Sequence, residues 1–287
     1  MPYDHYSRML AKSNVHCEHM KNFLHQIHFM LDHALYGDTV VYVGAANASH
    51  LPKLHELFQH MNFEWHLYDT GSFSSDVLNF AQVHASHVKL YDKDFCMEDA
   101  KEHAADQNLL FIYNNNNVRQ AALQYDACFP QSHEGTNLWN PLEAEALMAD
   151  QSSKFYQLQA HFVQTMLPKA SSLHVKPLYN PPNKEQESLH FFCGKLYTLP
   201  FAGQNSTEMR LIATREDVQK GLCSTYTHTQ LEKAAAFFNR RIRPHGFDSK
   251  CLQIIAKKYT DTYQMSSSIA GDLKNTLCNF LLISKTQ

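Results

Sequence analysis

The loop Gly44-Ala-Ala-Asn-Ala-Ser-His50 follows directly on the β-branched run Thr39-Val-Val-Tyr-Val43, and a second run, Glu64-Trp-His-Leu-Tyr-Asp69, ends in an acid. A small-residue loop lets backbone approach a ligand, and an acid at the end of the next strand is placed to accept hydrogen bonds from ribose hydroxyls. Gly44, Ala46, Ala48, His50 and Asp69 are therefore candidate cofactor-binding residues, with Asp92, which ends the later run Val88-Lys-Leu-Tyr-Asp92. The loop holds one glycine and no G-x-G-x-x-G, so by itself it is equally a plain strand-to-helix turn. A second candidate chemistry lies in Arg240, Arg241 and Arg243, close enough in sequence to meet phosphates together or to form a solvated helix end. The 19 histidines are densest at His16, His19, His25, His28 and His33, next to Cys17. They lack a second pair at a fixed offset and a carboxylate ligand, so no metal is expected. Seven scattered cysteines without a C-x-x-C pair read as reduced thiols.

The elements that must position these residues alternate. Apolar residues at helical spacing from 15 to 36 (Phe23, Leu24, Ile27, Met30, Leu31, Leu35) stop at Gly37-Asp38, and the Thr39–Val43 strand follows. Leu51, Leu54, Leu57 and Phe58 predict a helix between the first two strands. Strands are predicted at Val88–Asp92, at Leu109-Leu-Phe-Ile-Tyr113 before a run of asparagines, and at Ser171–Val175 after a helix over 143–167. Further strands are predicted at Lys195–Leu199 and Met209–Ala213. The alternation gives a doubly wound, Rossmann-like α/β sheet. No repeat or linker divides the chain, which is expected to be one domain over residues 1–287.

Composition bounds the rest. With 287 residues, 44% hydrophobic, 9 Gly and 10 Pro, the chain can build a large core, which excludes disordered and collagenous classes. Net charge is −3, but residues 204–287 hold 12 Lys and Arg against 7 Asp and Glu, a basic C-terminal third. Leu277–Ile283 is too short for a membrane span, and Met1–Leu10 has no apolar signal core, so a soluble, cytoplasmic protein is expected.

Longer strings carry a resemblance. Asp38-Thr-Val-Val-Tyr-Val-Gly-Ala-Ala-Asn-Ala-Ser-His50, Ala149-Asp150, Ala170-Ser-Ser-Leu173, Leu199-Pro-Phe201 and Ser206-Thr-Glu-Met-Arg-Leu211 occur in one order and spacing. Over roughly residues 15–245 they resemble the poxvirus cap-specific mRNA 2′-O-methyltransferases, a family that doubles as the small, processivity-conferring subunit of viral poly(A) polymerase. The resemblance implies an S-adenosylmethionine-dependent methyltransferase fold in the host cytoplasm or virion. Its partners would be capped mRNA or single-stranded RNA and a poly(A) polymerase catalytic subunit, without a membrane. The family's Lys-Asp-Lys-Glu tetrad falls on Lys21, Asn114, His174 and Glu208, so two of the four positions change. A ribose hydroxyl is a poor nucleophile at neutral pH, and its activation needs a tuned lysine steered by carboxylates. Asn114 supplies no charge, and His174 is shorter than a lysine. Asn47-Ala48 also replaces an expected Pro-Gly, so the Ala48 methyl is expected to crowd the cofactor. For the cap, the family stacks 7-methylguanine on aromatics and reads its edge with carboxylates, which points to Tyr179 and Glu232, with Tyr3 or Tyr6 opposite.

Three readings follow. The favoured one is a catalytically impaired, RNA- or cap-holding regulatory subunit of poly(A) polymerase in which S-adenosylmethionine binding is possible but open to loss. The second is an active cap 2′-O-methyltransferase with an altered tetrad. The third is a stand-alone α/β domain for another nucleotide or a host protein.

Overall fold

The computed structural model describes residues 18–115, 117–129, 141–177, 188–203 and 205–263. Strand and helix alternate from the start: α1 (Glu18–His33), β1 (Thr39–Val43), α2 (Leu51–Leu57), β2 (Glu64–Asp69), α3 (Ser75–Val83), β3 (Val88–Asp92), α4 (Met97–His103), β4 (Leu109–Tyr113), α5 (Val118–Cys128), α6 (Pro141–Met166) and β5 (Ala170–Val175). The later chain is richer in strands, with β6 (Ser188–Phe192), β7 (Lys195–Thr198), β8 (Met209–Thr214), α7 (Arg215–Gln219), β9 (Leu222–Thr227), α8 (His228–Phe237) and α9 (Phe247–Tyr263).

Seven strands form one sheet in the order β3-β2-β1-β4-β5-β8-β7, and β6 and β9 pair separately. The first five strands are parallel, while β8 runs antiparallel to both β5 and β7. Because side chains alternate along a strand, β1 feeds two cores. Val40 and Tyr42 pack with α1, α2, α3 and α9 through residues such as Phe23, Leu54, Phe80 and Ile255. Val41 and Val43 pack with α5, α6 and α8 through Tyr125, Phe155, Phe162 and Leu231. Both faces of the sheet are covered, which is why β1 and β4 read as unbroken apolar runs.

Helix starts follow local chemistry. Ser74 caps α3 by accepting from the Val77 N–H, Asn117 caps α5 by accepting from Gln120, and Thr214 and Asp217 form a reciprocal capping box at α7. All seven predicted strands lie where the periodicity put them. The small β6–β9 sheet was not predicted, because β9 is largely exposed and shows no apolar alternation. That sheet also corrects the expectation of reduced thiols, since Cys193 and Cys223 are joined by a disulfide across it, with Cα atoms 5.5 Å apart. Among the described residues, no helix is long and apolar enough to cross a membrane.

Candidate functional site

The order of the sheet reverses between β1 and β4, and in such sheets the crevice beyond the strand ends at that point is the usual ligand site. A cleft of about 480 Å³ opens there, the size of a small-molecule pocket. Its floor depends on Gly44. That residue has φ +86°, and a Cβ on it would stand 2.6 Å from the Asn115 nitrogen and 2.7 Å from the Asn114 carbonyl carbon. Only glycine permits both this backbone and this approach of the β1 and β4 exits.

Five of the six predicted cofactor-side residues, Gly44, Ala46, Ala48, His50 and Asp69, line the cleft. Asp69 holds the loop itself: Oδ2 accepts from the Ala46 N–H at 2.9 Å and Oδ1 from the Gly71 N–H at 2.8 Å. A carboxylate has about four acceptor positions, so capacity remains for a ligand hydroxyl. His50 is directed inward, with Nε2 2.9 Å from Gln26 Oε1, and the Gln26 amide donates to the Tyr42 hydroxyl at 2.7 Å. Ala48 is only 3% exposed, packs in the core with Leu51 and has no left-handed backbone, so the loop carries alanine there without strain. Asp92 does not line the cleft. It pairs in register with Asp69 but is exposed on the edge strand, and Asp94, two residues later, enters the cleft and accepts from Gln120 at 2.8 Å.

The four tetrad positions converge beside the cleft, around a residue that sequence reasoning left out. Lys21 Nζ, on α1, lies 2.5 Å from Glu208 Oε2, and Arg210 Nη2 lies 3.0 Å from Glu208 Oε1. Arg210 also donates to Asn114 Oδ1 and, at 3.3 Å, to Asn22 Oδ1. Lys21 and Arg210 are each 2% exposed. His174, opposite Arg210 in the β5–β8 register, has Nε2 3.9 Å from Glu208 Oε1, beyond hydrogen-bond reach. Neither of its ring nitrogens has a hydrogen-bond partner among the described residues, nor does Arg210 Nη1.

Electrostatics follow from burial and from Arg210. Burial, then the neighbouring guanidinium, hold His174 well below its ordinary range, so the imidazole is neutral. Burial and Arg210 do the same to His25, whose Nε2 sits 2.7 Å from Ser172 Oγ. Burial would raise the Glu208 carboxyl, but Arg210 and Lys21 outweigh it and bring it to about 2. Arg210 stands two residues after Glu208, at the second position of β8. Gln159 was also missed. It anchors the His174 backbone from both sides, accepting from the N–H at 2.9 Å and donating to the carbonyl at 3.1 Å.

Other expectations fare unevenly. Tyr179, Tyr3 and Tyr6 lie outside the described residues, so of the cap residues only Glu232 is placed, half-buried on α8 and away from the cleft. The arginine cluster is corrected in one member. Arg243 is buried and spends its guanidinium on the carbonyls of Leu199, Ala202 and Gly203, while Arg240 and Arg241 are exposed on a π-helical turn. His28 turns to Asp32 at 3.2 Å.

The cleft's lining combines the carboxylates of Asp69 and Asp94 with carboxamides, among them Asn22 and Asn114, which both accept from Arg210. The family model described as "Poly A polymerase regulatory subunit" matches residues 4–125 and 144–269. A search of curated proteins found no match.

Proposed function

Because the chain belongs to the family of poly(A) polymerase regulatory subunits, we propose that it holds capped or single-stranded RNA for a poly(A) polymerase catalytic subunit, with methyl transfer impaired or lost. The observation that carries the second half is the state of the tetrad positions. To take a proton from a ribose hydroxyl, a base must present a lone pair to substrate. Lys21 donates to Glu208, Glu208 is committed to Lys21 and Arg210, and Asn114 has its oxygen on Arg210. His174 is neutral and has lone-pair capacity, but its side chain is 3% exposed behind Glu208. The cluster is built to stay together and offers substrate no base.

RNA holding is supported by the exposed Arg240 and Arg241 in a basic C-terminal third and by the polar cleft. The doubly wound sheet is compatible with a methyltransferase-like fold, although a fold does not by itself transmit an activity. A second reading, an active cap 2′-O-methyltransferase, is favoured by the intact Lys21–Glu208 pair and the open cleft. S-adenosylmethionine, when bound, supplies an activated methyl group.

Three measurements on the full chain separate the readings: retention of capped and uncapped RNA, co-purification with a viral poly(A) polymerase catalytic subunit, and methyl incorporation from S-adenosylmethionine into capped RNA. Retention of both with no methyl incorporation supports the regulatory reading, and failure to hold either RNA or polymerase sinks it. Incorporation that falls on Lys21→Ala or Glu208→Ala establishes the second.

A further inference from the structure

Helix α8 runs directly into the π-helical turn Phe238–Ile242. Leu231, Ala235, Phe238 and Asn239 are buried on the inner side of this rod. On the outer side Lys233, Phe237 and Arg241 recur every four residues, so they lie one above the other, with Arg240 beside them, and all four are exposed. Phe237 is 61% exposed. From His228 to His245 the sequence holds Lys233, Arg240, Arg241 and Arg243 against a single acid, Glu232, which is half-buried to one side of that line. A solvated helix face accounts for the cations, but it gains nothing from a phenyl ring held in water among them. The turn is also fixed from behind. Arg243 donates to the carbonyls of Leu199, Ala202 and Gly203, and its guanidinium lies 5.2 Å from the centre of the Phe238 ring. Asn239 donates to the Ser206 carbonyl at 2.9 Å, and Phe238 meets Phe247 edge-on at 4.6 Å. A π-helical turn is rare and frequently marks a functional site. Here three buried side chains hold it, so Phe237 and Arg241 are presented on a rigid base.

We propose that this face is a docking platform for single-stranded RNA, in which a base stacks on Phe237 and flanking phosphates meet Lys233 and Arg241. Each of those cations stands one turn from the ring, about 6 Å along the helix axis. They supply an attraction independent of sequence, and the ring accepts any base because every base has a π-face. Charge decides for RNA over an apolar protein surface, which would cover the lysine and arginine heads without offering them anions. A duplex keeps its base faces inside its own stack, so the ring selects a single strand. The inference rests on the reading of the chain as an RNA-holding subunit and gives that subunit a site that needs no cap. None of these residues lines the cleft.

Fluorescence anisotropy of the full chain with a labelled, uncapped single strand of mixed sequence, and with the duplex of the same sequence, tests it across a salt series. Phe237→Ala is expected to weaken single-strand binding at least about fivefold, and Phe237→Tyr, which keeps a ring, to leave it unchanged. Lys233→Ala and Arg241→Ala are each expected to make the slope of log affinity against log salt shallower by about 0.7. Lys101→Ala, exposed on α4, is expected to change neither quantity. An unchanged thermal midpoint checks that each variant folds, and if Phe237→Ala does not fold, the two salt slopes decide. Binding by the unaltered chain that Phe237→Ala does not weaken, or salt slopes unmoved by Lys233→Ala and Arg241→Ala, defeats this inference alone. An absence of binding by the unaltered chain defeats the RNA reading with it. A duplex bound as tightly as the single strand also overturns the inference. So do variants that keep RNA but lose the polymerase catalytic subunit, which assigns the face to a protein.

Discussion

Glu208 is the carboxylate on which two buried cations depend. Removing its charge by Glu208→Gln leaves Lys21 and Arg210 in the interior without their anion, and breaking a buried pair in this way costs about 3–5 kcal/mol. Urea unfolding checks it, and a change below about 1 kcal/mol would mean that the cluster is hydrated and weak. The same group leaves a signature in acid. Its carboxyl falls from 4.5 to about 2 on folding, so its stabilisation is complete above about pH 4.5 and is lost as pH falls through 2. That contribution is on the order of 3 kcal/mol. Lys21 and Glu208 were legible through a resemblance to known sequences, and the structure brings them into contact. Arg210 was not legible in this way, because its burial and its partners, Asn22 on α1 and Asn114 just after β4, are properties of the assembled fold. Asp92 was singled out because it ends the strand pattern, and the chain enters the cleft only after it, at Asp94.

At the scale of elements, the cleft rests on the exit of β1. Gly44→Ala adds a Cβ 2.6 Å from the Asn115 nitrogen at a left-handed φ, a strain of about 1–3 kcal/mol before any backbone shift. A lowered thermal midpoint and weakened ligand binding together are the expected result, and an unchanged midpoint would show that β1 and β4 separate easily. Asp69→Asn should act more gently. It weakens two charge-assisted bonds to the Ala46 and Gly71 N–H groups, about 1.5–3 kcal/mol at most, and loosens the loop without opening the core. Its check is faster hydrogen exchange at those two amides with β1 and β4 still protected. The seven strands of the main sheet were legible because each is β-branched or apolar and bounded by breakers. β6 and β9 were not, since Leu222-Cys-Ser-Thr-Tyr-Thr227 is mostly polar and is held by pairing with a strand 30 residues earlier.

At the scale of the whole molecule, several of the described histidines are held as neutral groups by burial. Burial holds His25 and His174 well below their ordinary range and brings His55, His103 and His228 to about 4. The unfolded chain takes up these protons near pH 6.5 and the folded chain does not, so folding stability rises with pH and is complete above about 6.5. The urea midpoint should be flat from pH 7 to 8 and fall steadily from 6.5 to 4. Equal stability at pH 4.5 and 7.5 would contradict that account. From sequence the histidine count was visible but its meaning was not, because burial is a property of the assembled core. The Cys193–Cys223 bond escaped for a related reason: β6–β9 pairing brings together cysteines with no short-range motif.

The account's central claim is an RNA-holding regulatory subunit without a working methyl-transfer centre. Its most direct test mixes the full chain with capped RNA and radiolabelled S-adenosylmethionine at saturation, then measures RNA retained and methyl incorporated in the same sample. Retained RNA with incorporation at background is the predicted result. Incorporation above background, abolished by Glu208→Ala, would contradict it.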